Sequence, residues 1–302
     1  MLCCSITKCS KSGCCPNLRM CPANVEEGHQ RGFIIPIGGA EDKEANPSIL
    51  RKFTELSGGK NATIVIIPTA SRLDDTGDRY EEIFKQLGAG SVSHIDIKSR
   101  EDCNNPEFAS RCEEATGIFI TGGNQLRLAT ILGGTAVAQV IRSANARGVH
   151  IAGTSAGASI MSEHMIAGGS SNESPKEGGA ILAPGLGLTN TMIIDQHFSE
   201  RNRLGRLLSA VSFNPFLMGM GIDEDTGAFI GPDDVCEVIG SGTVTIVDGG
   251  ELTYSSAYGT DNDKALGLLG LKLDILHAGC HYDFNIREAF PPIEDRQNIC
   301  KI

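Results

Sequence analysis

The sequence lacks an apolar stretch near the roughly 18 residues that a membrane-spanning helix needs. Positive charge is also short: 26 Lys and Arg stand against 37 Asp and Glu, for a formal net charge of −11. That balance excludes nucleic acid and an anionic membrane surface as natural partners, while leaving arginine-bearing ligands open. Tryptophan is absent, which excludes nothing by itself. No internal repeat is visible. Cysteine is thin through the body of the chain, where Cys103, Cys112, Cys236, Cys280 and Cys300 are scattered. Extracellular disulfides would need partners throughout that body, and the total of 11 is odd; a reducing, cytoplasmic compartment fits better.

The remaining cysteines, Cys3, Cys4, Cys9, Cys14, Cys15 and Cys21, crowd the N-terminus. Their adjacent pairs, with no histidine before His29, match no zinc finger or ribbon. A secretion signal would need a long apolar core that is missing here. Residues 1–30 are therefore expected to be a disordered extension, with Met20 as an alternative start. The only linker-like stretch lies at about residues 22–31.

A chain of 302 residues can bury a sizeable core as one large or two small domains. After the extension, Gly32 to Gly39 reads as a buried strand ending in a glycine turn, and 47–57 as a helix opened by Pro47. Thr63 to Pro68 is a continuous apolar run, as expected of a parallel strand covered on both faces. A helix over 77–88, strands over 91–97 and 117–123, and helical segments over 125–147 follow. This alternation predicts an α/β fold with a doubly wound, mostly parallel sheet, and residues 31–302 as a single domain. Strands at 191–194 and 217–222 flank a helix over 200–211. Short strands at 228–230, 236–239 and 243–247, with a turn at 248–250, make the C-terminal part β-rich.

Residues 148–160 carry the chemistry. A short apolar strand runs into Gly153-Thr154-Ser155-Ala156-Gly157, a Gly-x-Ser-x-Gly pattern with small helix-compatible residues after it, matching a nucleophile elbow. Side chains at 153 or 157 would collide with the flanking strand and helix. The helix start beside Ser155 suits a developing oxyanion. Ser155 needs a base and an orienting carboxylate. His197 closes the strand 191–194, at the sheet edge where Ser155 sits. His29, His94, His150, His164, His277 and His281 read as structural or solvated. Asp223, Glu224 and Asp225 end the next strand, and composition does not choose among them. The order Ser, His, acid differs from that of α/β-hydrolases and argues against an esterase. Gly122-Gly123 offers bare backbone N–H groups, with the Ala156 N–H beside the nucleophile.

The helix beginning near Ser199 carries an apolar stripe, Leu204, Leu207, Leu208 and Val211. Arg201, Arg203 and Arg206 surround that stripe, as a carboxylate-binding set or as a solvated basic face. From 166 to 187 the pattern breaks into a polar, glycine-rich segment. It reads as a long loop that would serve as a flap over the site or as a surface insertion.

Gly38-Gly39-Ala40-Glu41-Asp42, Thr121-Gly122-Gly123-Asn124-Gln125, Gly153 to Ala158, Asp195 to Arg203 and Gly221 to Thr226 together resemble the cyanophycinases, serine peptidases of the peptidase E-like group. The resemblance runs from about residue 31 to about 275. It implies a flavodoxin-like fold related to class I glutamine amidotransferases, and a homodimer. It implies hydrolysis of cyanophycin, a poly-aspartate chain bearing arginine on its β-carboxyls, to β-aspartyl-arginine. It makes Ser155 the nucleophile, His197 the base and Glu224 the acid, with Gly123 and Ala156 as oxyanion donors. Asn124, Gln125, Asp195, Gln196, Arg201, Arg203 and Arg206 fall at substrate-contacting positions, Asp195 as an acidic pocket residue for guanidinium groups. No metal or cofactor is required. The competing readings are an aspartyl dipeptidase of the same group and a non-catalytic binding protein on the same fold.

Overall fold

The computed structural model describes residues 21–171, 174–258 and 264–295. Most of the cysteine-rich extension, and its expected disorder, lies outside the described residues. In chain order the first elements are β1 (Ile34–Ile37), α1 (Ser48–Leu56), β2 (Thr63–Ile67), α2 (Thr76–Gln86), β3 (Ser91–His94), α3 (Pro106–Glu114) and β4 (Gly117–Ile120). Then come α4 (Gln125–Leu132), α5 (Ala136–Ala146), β5 (His150–Thr154), α6 (Ala156–Ser159), β6 (His164–Gly169), β7 (Ala180–Pro184), β8 (Met192–Gln196) and α7 (Leu204–Phe213). The C-terminal part supplies β9 (Met218–Ile222), β10 (Thr226–Ile230), β11 (Val235–Gly240), β12 (Thr243–Asp248), β13 (Tyr254–Ser255), β14 (Leu268–Leu269), β15 (Lys272–His277), β16 (His281–Asp283) and β17 (Glu288–Phe290).

The main sheet has the order β17-β16-β11-β10-β1-β5-β4-β2-β3. From β1 to β3 every pairing is parallel; on the other side of β1 every pairing is antiparallel. The continuous apolar runs are explained by cover on both faces. Ile64, Ile66 and Phe119 point to one side, where they meet Leu50 and Phe53 of α1 and Tyr80 and Phe84 of α2. Val65, Ile67, Ile118 and Ile120 point to the other, against Leu128 of α4 and Ile141 of α5.

The sequence reading put the strands near 191 and 217 in this same sheet, and the structure corrects that. β8 and β9 belong to a second, four-stranded sheet of order β15-β12-β9-β8, with β8 and β9 parallel. Met192, Ile194, Met220, Ile222 and Ile246 of this sheet join the core on the α4–α5 face of the main one. Its other face carries α7, through Ile193, Leu207, Ala210, Val211 and Val247. The α7 stripe is therefore a core stripe, as its spacing predicts.

The helical segments expected over 125–147 are two helices, separated at Gly133 and Gly134, where the latter has φ 71°. Two further expectations are revised. The helix expected over 200–211 begins only at Leu204, because residues 198–202 form turns, with Asn202 at φ 48°. The segment 166–187 is not a structureless loop: β6 and β7 pair antiparallel, with a register shift between Ile166 and Gly168. Buried Met165, Ile166 and Ala180 anchor this hairpin, which explains how so polar a stretch stays ordered at its base. Among the described residues no helix is long and apolar enough to cross a membrane.

The face formed by α1 and α2 is held by an aromatic cluster in which Phe119 meets Tyr80, Phe84 and Phe53 at centroid distances of 4.8, 5.1 and 6.0 Å. Phe119→Ala is expected to cost about 3–5 kcal/mol, lowering the thermal midpoint by about 10 °C. Calorimetry checks this; a loss below about 1 kcal/mol would mean the three neighbouring rings collapse into the gap.

Candidate active site

Ser155 stands between β5 and α6 with φ 53° and ψ −110°. A non-glycine residue in that conformation is strained by roughly 1–3 kcal/mol and persists only when its surroundings fix it. Here they do: the Ser155 N–H donates to Ile37 O at 2.9 Å, across from β1. The glycines on either side behave as the sequence predicts. A Cβ at Gly153 would sit 2.4 Å from Gly157 O, and one at Gly157 would sit 2.1 Å from Ile120 O.

His197 follows β8 directly, with φ 46°, so its ring swings back from the second sheet toward the first. Its Nε2 lies 2.9 Å from Ser155 Oγ, and its Nδ1 lies 2.5 Å from Glu224 Oε1. These distances make an unbroken serine–imidazole–carboxylate relay. The three carboxylates that composition left open are separated by their partners. Asp223 accepts from the Ser199 N–H and from both the N–H and hydroxyl of Thr243. Asp225 accepts from the Asp42 N–H and the Ser241 hydroxyl. Only Glu224 reaches the imidazole. Burial pushes the His197 pKa down, and Arg201 and Arg203 push the same way, against the Glu224 carboxylate. The imidazole is thus kept neutral and able to accept a proton at neutral pH.

Gln196 is buried, and its Oε1 lies 3.4 Å from Ser155 Oγ. Asp195 is placed differently from the sequence-based expectation. Its side chain is fully buried and held by Arg206, whose Nε donates to Oδ2 at 2.8 Å and whose Nη2 donates to Oδ1. Arg203 Nη1 stands 3.5 Å from the same Oδ1 and donates to Gln196 O. Arg203 and Arg206 are both buried. Arg201, by contrast, is exposed and its guanidinium has no hydrogen-bond or ion-pair partner among the described residues. The three arginines therefore do not form one solvated face: two neutralise a buried carboxylate, and one faces solvent near the histidine.

Gly122 comes close to Ser155, since a Cβ there would be 3.3 Å from Ser155 Cβ. Gly123 has φ 144° and is exposed, and Ala156 is buried. Among the described residues neither of these two N–H groups donates to a backbone carbonyl. Asn124 caps α4, accepting from the Arg127 N–H. Gln125 directs its Nε2 to Ile166 O and Ala167 O at 3.5 and 3.4 Å, tying α4 to the hairpin.

One group was missed in the sequence. Glu41 is buried and bonded to the Tyr80 hydroxyl at 2.5 Å, the Thr154 hydroxyl at 2.6 Å and Lys43 Nζ at 3.1 Å. Burial and then the Glu41 charge hold the Tyr80 phenol far above its ordinary pKa, so it remains a donor. With Ser155 and Gly122 these residues line a cavity of about 290 Å³. The available signal was the carboxylate's position, at the end of the glycine turn after β1.

Asp195→Ala would leave the Arg203 and Arg206 charges buried without their partner, at a cost of about 3–5 kcal/mol. Denaturant unfolding measures it. An unchanged midpoint would assign Asp195 to ligand contact alone.

The family model described as Peptidase family S51 matches residues 33–238. The chain is 45% identical over 255 residues to a cyanophycinase of Geminocystis herdmanii, covering 84% of this chain and 94% of that one. It is 44% identical to a cyanophycinase of Trichormus variabilis, with 86% and 88% covered, and 41% identical to one of Synechococcus elongatus, with 87% and 82% covered. A crystal structure of a peptidase from an acI-B1 Actinobacterium shares the fold, at a TM-score of 0.61 and 24% identity, over 87% of this chain and 98% of that one. The matched span runs from β1 into β11 and contains Ser155, His197 and Glu224, so the relay sits inside a recognised peptidase unit: the chain belongs to peptidase family S51.

Proposed function

We propose that this hydrolase is a serine-type exopeptidase that degrades cyanophycin to β-aspartyl-arginine through an acyl-enzyme. The observation that carries the reading is the relay at 2.9 and 2.5 Å opening on a cavity. The substrate comes from the cyanophycinases to which the chain is 41–45% identical over most of their length. The strand–Ser155–helix turn is read as a nucleophile elbow. Ser155 Oγ attacks the main-chain carbonyl next to a β-linked residue while His197 Nε2 takes its proton. Glu224 holds the Nδ1–H and stabilises the imidazolium. The Gly123 and Ala156 N–H groups receive the oxyanion. The imidazolium then protonates the leaving amine, and water, deprotonated by the same histidine, releases the acyl group.

Residues 31–302 form one catalytic unit in this reading, acting as a homodimer in the cytoplasm. Exposed Leu273 and Ile275 on the edge strand β15 support self-association. The free thiols of Cys21, Cys103, Cys112, Cys236 and Cys280 support a reducing compartment. Arg201, with Asn124, Gln125 and Gln196, is read as contacting the substrate, and Asp195, Arg203 and Arg206 as fixing Gln196 behind it.

Incubation with insoluble cyanophycin, with products read by mass spectrometry, tests the reading. The wild type is expected to release β-aspartyl-arginine, and Ser155→Ala to lose at least about 10⁴-fold in rate. Cleavage of small aspartyl dipeptides alone would overturn the substrate, and wild-type rates in Ser155→Ala would overturn the mechanism.

The acidic limb of the kcat/KM profile is expected below the ordinary imidazole value of about 6.5, because the folded protein disfavours the His197 cation. Activity requires the neutral ring, so it falls as pH drops through that depressed value. Arg201→Ala removes a repelling charge and moves the limb to higher pH. Glu224→Gln removes the stabilising carboxylate and moves it lower.

A further inference from the structure

A second cavity, of about 230 Å³, lies beside the nucleophile's cavity. The two share Ser71 and Leu73 as walls, so they adjoin, the second lying farther from Ser155. Leu73 is 62% exposed, an apolar side chain on the wall common to both.

The far cavity is lined by both signs of charge. Arg127, half-buried on α4, is fixed through its Nε, which donates to Thr69 O at 3.0 Å. Its two terminal nitrogens have no hydrogen-bond or ion-pair partner among the described residues, which leaves a pinned fork of donors suited to a carboxylate. Asp96, with a side chain 58% exposed, contributes negative charge, and exposed Asp74 and Lys98 stand 3.8 Å apart on the same lining. A ligand carrying only an anion or only a cation would leave half of this lining unmatched. A ligand with a carboxylate and a guanidinium on one arm would match both.

We propose that this cavity is a subsite for an arginyl arm of the polymer one or more repeat units from the scissile bond. Arg127 holds the arm's free α-carboxylate, and Asp96, with Asp74, holds its guanidinium. The proposal rests on the cyanophycin reading above and extends it: the enzyme recognises the chain beyond the unit it releases. An extended backbone advances roughly 3.4 Å per residue and presents alternate arms to one face. Two adjoining cavities can therefore take more than one arm.

The test is a ladder of β-aspartyl-arginine oligomers from about two to about eight units, with kcat/KM measured at each length. In the wild type kcat/KM is expected to rise with length and then level off. In Arg127→Ala, and in the exposed-site variant Asp96→Asn, the ratio of long- to short-oligomer kcat/KM is expected to fall by about tenfold, mostly through KM. Losses equal at every length, or a length dependence unchanged in both variants, would overturn the subsite. An active wild type indifferent to length overturns the subsite alone; a wild type inactive on every oligomer overturns the cyanophycin reading with it.

Discussion

The site depends on how closely the loop after β1 approaches the imidazole. A Cβ at Gly39 would lie 2.4 Å from His197 Cε1, and Gly39 itself has φ 107°. Only glycine satisfies both conditions. This loop touches every member of the relay or its neighbour. The His197 N–H donates to Gly38 O at 2.9 Å, and the Asp225 N–H, next to Glu224, donates to Gly39 O at 2.8 Å. Ser155 N–H meets Ile37 O, and Thr154, just before the serine, meets Glu41. Ser155 comes from the main sheet while His197 and Glu224 come from the second. The loop is the short backbone path that registers one sheet against the other, and the shared core behind it keeps that register stiff.

Two buried carboxylates stand behind this geometry, both already engaged by neighbouring groups. Glu41 is neutralised by Lys43 and by hydroxyl donors; Asp195 is neutralised by Arg206, Arg203 and the Gln196 N–H. Burying such charges is no general route to stability, because desolvation offsets much of their attraction. Their effect is positional. Glu41 holds Thr154, the residue before Ser155, and the Asp195–arginine cluster holds the strand end that delivers Gln196 and His197. Ala40, Ser155, His197, Asn202 and Asp225 all have positive φ around this centre. Strain at so many adjacent turns is tolerated because these polar contacts fix the backbone from both sides.

The parallel half of the main sheet was legible because its strands are covered on both faces, which leaves uninterrupted apolar runs such as Thr63 to Ile67. The serine turn was legible because its glycines answer to steric collisions that any side chain would cause. The membership of β8 and β9 in a second sheet was not, since strand spacing carries no record of which sheet a strand joins. The hairpin β6–β7 was hidden by its glycines and its irregular register, which break the two-residue alternation of a regular strand. Arg201, Arg203 and Arg206 looked alike in sequence. What separates them is that Arg201 lies within the turn over 198–202, whereas Arg203 and Arg206 reach the buried Asp195. Choosing Glu224 over Asp223 and Asp225 needed the hydrogen bonds of all three, because the neighbours' partners, Thr243 and Ser241 with the Asp42 and Ser199 N–H groups, are distant in the chain.

The basicity of His197 follows from the same arrangement. Its position against the glycine loop buries the ring, and burial alone would make the imidazolium too costly to form during proton transfer. Glu224 counters this at 2.5 Å, with its own side chain still 36% exposed. Arg201 and Arg203 act in the opposite direction. The ring is therefore held between two opposing fields, burial and the arginines favouring its neutral form and Glu224 its charged one. A histidine buried to this degree without the carboxylate would be a poor base, and one beside the carboxylate in open solvent would be protonated across more of the acidic range. The close approach of Gly39 and the reach of Glu224 must both be present for the relay to work near neutral pH.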